Sequence, residues 1–181
     1  MRTSTRQMLK VLYVLSWVIF VGVCIEAGSF IINAVFTLVN PAVVKNLWHE
    51  ADLSDLYQYN HGYFFVMNVF MSIVAVLKAC IFYLIIKILH GKKLNIRQPF
   101  NKEMGRFIFS ISFLALLAGL FSGWGVTYAE WLVGKGVNMP DIRYLHLGGA
   151  DVWLFMSVIL FVIAQMFRRG IEIQSENELT V

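Results

Sequence analysis

Charge and helix-breaking residues are both scarce in this chain. Of 181 residues, 14% are charged and 59% hydrophobic, and the mean hydropathy is +0.69. A soluble domain normally carries about 25% charged and about 45–50% apolar residues, so a water-facing surface is not available here. Proline occurs only as Pro41, Pro99 and Pro140, each in a connection between apolar runs. Unbroken runs argue against the discontinuous helices with which transporters build substrate sites. Cysteine occurs only as Cys24 and Cys80, in separate runs and offset in depth by roughly 10 Å. Cα atoms more than ~7 Å apart are not bridged without movement, so both are expected as buried small hydrophobes.

Catalytic signatures are missing as well. There is no His-Glu-x-x-His helix, no Gly-x-Ser-x-Gly elbow, no phosphate-cradling glycine loop and no dinucleotide fingerprint. His49, His61 and His146 fall on one side of the apolar runs, but their spacing matches no compact metal motif. A shared haem would require His61 and His146 to face each other at one depth. Neither enzyme activity nor a metal or cofactor is expected.

What the chain does have is four long apolar runs, at 11–38, 63–89, 107–128 and 150–167. Each approaches or exceeds the ~20 residues that a helix needs to cross a bilayer. The expected fold is therefore all-α: one polytopic membrane domain of four transmembrane helices. The fourth run is the shortest and is expected to borrow Leu145–Gly149 at the outer interface. The first run is about twice the ~7–15 residues of a signal-peptide core and reads as a retained anchor.

Orientation follows from the placement of Lys and Arg. Arg2, Arg6 and Lys10 precede the first run; Lys87, Lys92, Lys93, Arg97, Lys102 and Arg106 surround the 90–106 loop; Arg168 and Arg169 follow the fourth run. The opposite loops hold only Lys45, Lys135 and Arg143, so both termini and the middle loop are expected in the cytoplasm. The net charge of +4 then belongs to a lipid-headgroup surface and gives no reason to expect direct nucleic-acid binding. Trp48, Tyr57, Tyr59 and Tyr63 on one outer rim, and Trp124, Tyr128, Trp131 and Trp153 on the other, suit interfacial belts.

Three features stand out within the runs. Ala115, Gly119 and Gly123 form a small-residue ridge at spacing four, suited to packing within one four-helix bundle or to a homo-oligomer face. Glu26 and Lys78 are the charges well inside the runs, where ionisable groups are expensive and are functional candidates. Three readings fit them: a neutralising ion pair, a small-molecule or ion site, and separate snorkelling to the interface. Asn101, just before the third run, has the chemistry of a helix cap.

The cytoplasmic face carries the remaining signal. Pro99-Phe100 precedes the third run, and the chain closes on Arg168-Arg169-Gly170-x-Glu172-x-Gln174-x-Glu176-Asn177-Glu178-Leu179-Thr180-Val181. These residues resemble a bacterial membrane-protein family catalogued as domain of unknown function twenty-nine seventy-five, with Ile173 and Glu178 as mild departures. The resemblance implies a four-helix protein of the bacterial inner membrane with no assigned activity, acting beside a cytoplasmic helix-turn-helix transcription regulator. Under that reading the middle loop with Pro99 and Phe100 and the tail 168–181 are the docking surface, with Glu172, Glu176 and Glu178 acidic and Leu179 and Val181 as apolar anchors. A frayed or interfacial chain end is the alternative.

Overall fold

The computed structural model describes residues 2–39, 52–90 and 101–178. Among these the chain is all-α: α1 (Arg2–Val39), α2 (Ser54–Tyr59), α3 (His61–His90), α4 (Lys102–Gly134) and α5 (Ala150–Glu178). The four long helices are each long and apolar enough to cross a membrane. An α-helix satisfies its own backbone polar groups, which is the condition for a lone segment to exist in hydrocarbon.

Successive long helices run antiparallel. Tyr13 near the start of α1 stacks on His90 at the end of α3, with Tyr13 Oη 3.0 Å from His90 Nδ1. Tyr63 at the start of α3 meets Trp131 at the end of α4 edge-on at 5.4 Å between ring centroids. Packing follows the row α1–α3–α4–α5, and among the described residues α1 and α5 make no substantial contact with each other. The bundle is thus open. Its middle helices bury one face on each side, and its flanking helices bury a single stripe.

That stripe is legible in α1. Ser16, Ala27, Phe30 and Ala34 are buried, whereas Val14, Val18, Ile25 and Ile32 are exposed. Spacings of three, four and seven bring the first set to one side of the helix, and its small members allow close approach to α3. The second set is the face a bilayer would cover. Cys24 and Cys80 are free thiols on exposed faces, so the expectation that both are buried is corrected: each falls off the packing stripe of its helix.

The helices reach beyond the apolar runs. α1 begins at Arg2 and α4 at Lys102, because Lys, Arg and Glu are good helix formers once a span has nucleated the helix. Asn101 caps α4 as expected: its Oδ1 accepts from the Met104 backbone N–H at 2.7 Å. The short α2, between the first two spans, has no counterpart among the apolar runs. Asp52 accepts from the Ser54 amide at 3.0 Å, and hydrogen bonds from Ser54 hold its carboxyl below the usual carboxylate range.

The core lies toward the α2 end of the molecule. Leu56 and Tyr57 of α2, Phe64, Met67 and Met71 of α3, and Ala129 and Leu132 of α4 are buried together with Leu145 and Leu147 of the α4–α5 loop. Aromatic rings expected on two separate rims meet in one band: Tyr59 stacks on Tyr63, Tyr63 meets Trp131 edge-on, and Trp131 stacks on Tyr128. We call this the outer end. The other, where α1 and α5 begin and finish and α3 gives way to α4, is the inner end.

Candidate functional site

The α4–α5 loop carries the most unusual backbone among the described residues. After Gly134 the chain does not simply turn over the helix ends. It descends between them, so that Leu145 and Leu147 are fully buried. Leu147 rests against Gly125, where an added Cβ would lie 2.8 Å from a Leu147 methyl. The Leu147 carbonyl accepts from Ser122 Oγ, and Ser122 lies 12 residues before Gly134, about 18 Å down the helix at roughly 1.5 Å per residue. Ala150, the first residue of α5, is level with Gly123.

Irregular backbone at such depth is tolerated only where its polar groups find partners. Two consecutive carbonyls are met by side chains from two helices. Lys78 Nζ of α3 donates to His146 O at 3.0 Å, and Ser122 of α4 serves Leu147. The His146 backbone has φ 56, left-handed for a residue with a Cβ, and Gly149 has φ 80. Histidine is among the few side-chain-bearing residues enriched in that region. The turn aims its imidazole at α1.

There it meets Glu26. His146 Nδ1 and Glu26 Oε1 are 3.0 Å apart, with the Glu26 side chain 18% exposed. The approach does not make a hydrogen bond, and the enclosed Oε1 has none among the described residues. Glu26 belongs to α1 and Lys78 to α3. They lie on neighbouring antiparallel helices at similar depth, yet no direct ion pair joins them among the described residues; His146 stands between, its ring toward Glu26 and its carbonyl toward Lys78. One anion and one cation are held close by a loop that needs both.

His146 is the residue that sequence reasoning missed. As a lone histidine in an outer loop it reads as interfacial. The available signal was Leu145-x-Leu147 followed by Gly148-Gly149: apolar residues that seek burial beside a pair of glycines that permits a tight turn. His61, in contrast, stacks against Tyr57 at 4.4 Å between centroids and takes no part. No group of three potential metal ligands occurs among the described residues.

The small-residue ridge is used within the chain. Gly119 faces Leu154 of α5, so closely that a Cβ would lie 2.8 Å from Leu154 Cγ, and Gly123 faces Ala150. Ala115 is buried, and Ser112 donates to Ser157 O of α5 at 3.0 Å.

At the inner end, α5 does not stop at Phe167. It continues as helix to Glu178, so the tail 168–181 is helical as far as that residue. Ile171 reaches α4, 3.5 Å from where a Gly105 Cβ would stand. Arg168 Nε and Arg169 Nη1 lie 3.4 and 3.3 Å from the Glu172 carboxylate. These i,i+4 and i,i+3 pairs favour helix where the apolar run ends. Glu176 continues the Glu172 face one turn on. Asn177 and Glu178 belong to the helix; their side chains, and Pro99, Phe100, Leu179 and Val181, lie outside the described residues.

No protein-family model matches the chain, and no curated protein or solved structure shows significant similarity to it.

Proposed function

We propose that this chain is a non-enzymatic membrane protein, with both termini on the cytoplasmic side of a bacterial inner membrane, that presents a helical arm to a soluble partner. The observation that carries the reading is the unbroken passage of α5 from its apolar span into the polar segment Arg168–Glu178. Eleven helical residues extend about 16 Å, enough to clear a headgroup layer. A segment already helical loses less conformational entropy on docking than a frayed end would. Glu172 and Glu176, four apart, give the arm an acidic face, and Ile173 is exposed beside it. Such a face suits a basic groove, and a cytoplasmic transcription regulator is the partner class that the family resemblance implies.

Orientation rests on charge: Lys87, Arg106, Arg168 and Arg169 all lie at the inner end, together with the start of α1. Affinity capture from solubilised membranes, with the full chain and with a chain ending at Gly170, tests the arm. Loss of a cytoplasmic partner on truncation is the expected result. Retention of every partner by the truncated chain removes the proposal.

A second reading, an ion or small-molecule site at Glu26 and Lys78, is favoured by the buried Glu26 Oε1 that lacks a hydrogen bond. It requires that a monovalent cation stabilise the purified protein and that Glu26→Gln abolish the effect. Identical melting in sodium, potassium and choline buffers excludes it for those ions.

A further inference from the structure

A groove of about 240 Å³ opens between the inner ends of α3 and α4. Its walls are two helix stripes. Leu84, Lys87 and Ile88 share one face of α3, and Glu103, Arg106, Phe107 and Ser110 share one face of α4, by their spacing of three, four and seven. Each stripe mixes polar groups with apolar ones.

Three of the four polar groups, Lys87, Arg106 and Ser110, are unusual in being unused. Among the described residues, Lys87 and Arg106 make no ion pair or hydrogen bond, whereas Arg168 and Arg169 at the same end are paired with Glu172. Ser110 differs in the same way from the other serines of the long helices whose side chains are described. Ser16, Ser29, Ser72, Ser112, Ser122, Ser157 and Ser175 all donate to a backbone carbonyl. Ser110 has no such bond, although a carbonyl one turn back is available to any helical serine. Glu103 has a contact of its own. The groove therefore offers two unpaired cations and a spare hydroxyl beside a wall of Leu84, Ile88 and Phe107.

We propose that this groove seats one anionic membrane phospholipid, its phosphate between Lys87, Arg106 and Ser110 and an acyl chain along Leu84, Ile88 and Phe107. Three features choose a lipid over a soluble anion. The cations stand where α3 and α4 leave their apolar spans, the level of the headgroup phosphates. Basic pockets between transmembrane helices on the cytoplasmic side are known to hold anionic headgroups. An apolar wall continuous with the phosphate cradle has no use for a free ion but matches a headgroup joined to a chain. Arginine gives a two-pronged donor set for phosphate and lysine a point charge, so Arg106 orients the group and Lys87 adds attraction.

The inference rests on the membrane-embedded reading above. Its test uses the full chain in detergent, probed by native mass spectrometry with phosphatidylglycerol and phosphatidylcholine of matched chains. One phosphatidylglycerol is expected to be retained at least tenfold more than phosphatidylcholine. The Lys87→Gln/Arg106→Gln double variant should lose that preference, and Ser110→Ala should weaken it a few fold. Arg168→Gln/Arg169→Gln, at the same end but off the groove, should keep it. Leu84→Trp fills the groove without altering charge and should also reduce retention, which keeps the test valid if the double variant folds poorly. Equal retention of both lipids, or a preference unchanged in the double variant and in Leu84→Trp, overturns the proposal. So does displacement of phosphatidylglycerol by millimolar inorganic phosphate, which would mark a plain anion site. A chain that stays monodisperse without detergent would instead overturn the membrane reading itself.

Discussion

The two ends of this molecule are built on different principles. At the outer end, α2 and the α4–α5 loop close over the helices. Leu56, Leu132, Leu145 and Leu147 are fully buried, and the polar groups drawn in with them are met by Ser122, Lys78 and Glu26. At the inner end nothing closes over the helices among the described residues. α1 and α5 run past their neighbours, Lys87 and Arg106 stand unpaired, and a groove opens between α3 and α4. Charge within the apolar helices serves to fix a loop at one end; surface charge is left available at the other. Perturbations at the outer end should therefore register in stability, and those at the inner end in binding.

Lys78→Met is expected to have the largest effect. It leaves His146 O without its donor and Glu26 without a nearby cation. Stranding one acceptor costs about 1–3 kcal/mol, and breaking a buried ionic arrangement from one side about 3–5 kcal/mol. Because Lys78 is only partly buried, we expect about 3 kcal/mol, read as thermal unfolding in detergent. Glu26→Gln added to Lys78→Met should restore at least about 1 kcal/mol by removing the stranded carboxylate. Additive losses, with the double variant falling by the sum of the two single variants, would show the cluster is not coupled, and the outer end would lose its distinguishing feature.

Much of this architecture was legible in the chain, and the illegible parts share a cause. Long apolar runs announce their helices because a bilayer span is a local property of about 20 residues. Asn101 announces its cap because capping involves residues three apart. Glu26 and Lys78 were visible as anomalies, since a charge in an apolar run is conspicuous by itself. Their relationship was not, because it is mediated by His146, 68 residues from Lys78 in sequence, through a carbonyl that every residue possesses. The extension of α5 was missed for a different reason: hydropathy marks where a span ends, whereas helix is continued by Arg168, Arg169 and Glu172 through side-chain pairing. Exposure of Cys24 and Cys80 depends on which face of each helix is packed, and in this row of helices the exposed sides are as apolar as the packed ones.

The ridge of α4 allows the comparison to be sharpened within a single helix. Gly119→Ala forces a methyl to within 2.8 Å of Leu154 Cγ and 3.1 Å of the Leu154 backbone nitrogen. Overpacking of this kind costs about 1–3 kcal/mol, and about 2 kcal/mol is expected. Gly123→Ala meets only Ala150 Cβ at 3.7 Å, an ordinary contact, and should be neutral or stabilising by up to about 1 kcal/mol, given the helix preference of alanine. Melting curves of the two variants should move in opposite directions. If both fall alike, the α4–α5 contact is tighter toward the outer end than described. Asn101→Ala, at the inner end, removes one capping bond and is expected to cost about 1 kcal/mol, with the loss confined to hydrogen-exchange protection in the first turn of α4.

Glu172→Gln should change stability least. Its two arginine partners are 74% and 72% exposed along their side chains, and ion pairs of this kind are worth about 0.3–0.5 kcal/mol and fade with salt. Neighbouring turns of α5 remain helical without them, because Ile171 is packed beside Gly105. The variant should therefore melt within about 0.5 kcal/mol of the parent while capturing less of any partner that reads the acidic face of the arm. A stability loss rivalling that of Lys78→Met would mean that the arm is a structural brace. The inner end would then be closed by its own charges, as the outer end is, and the contrast between the two would be one of degree.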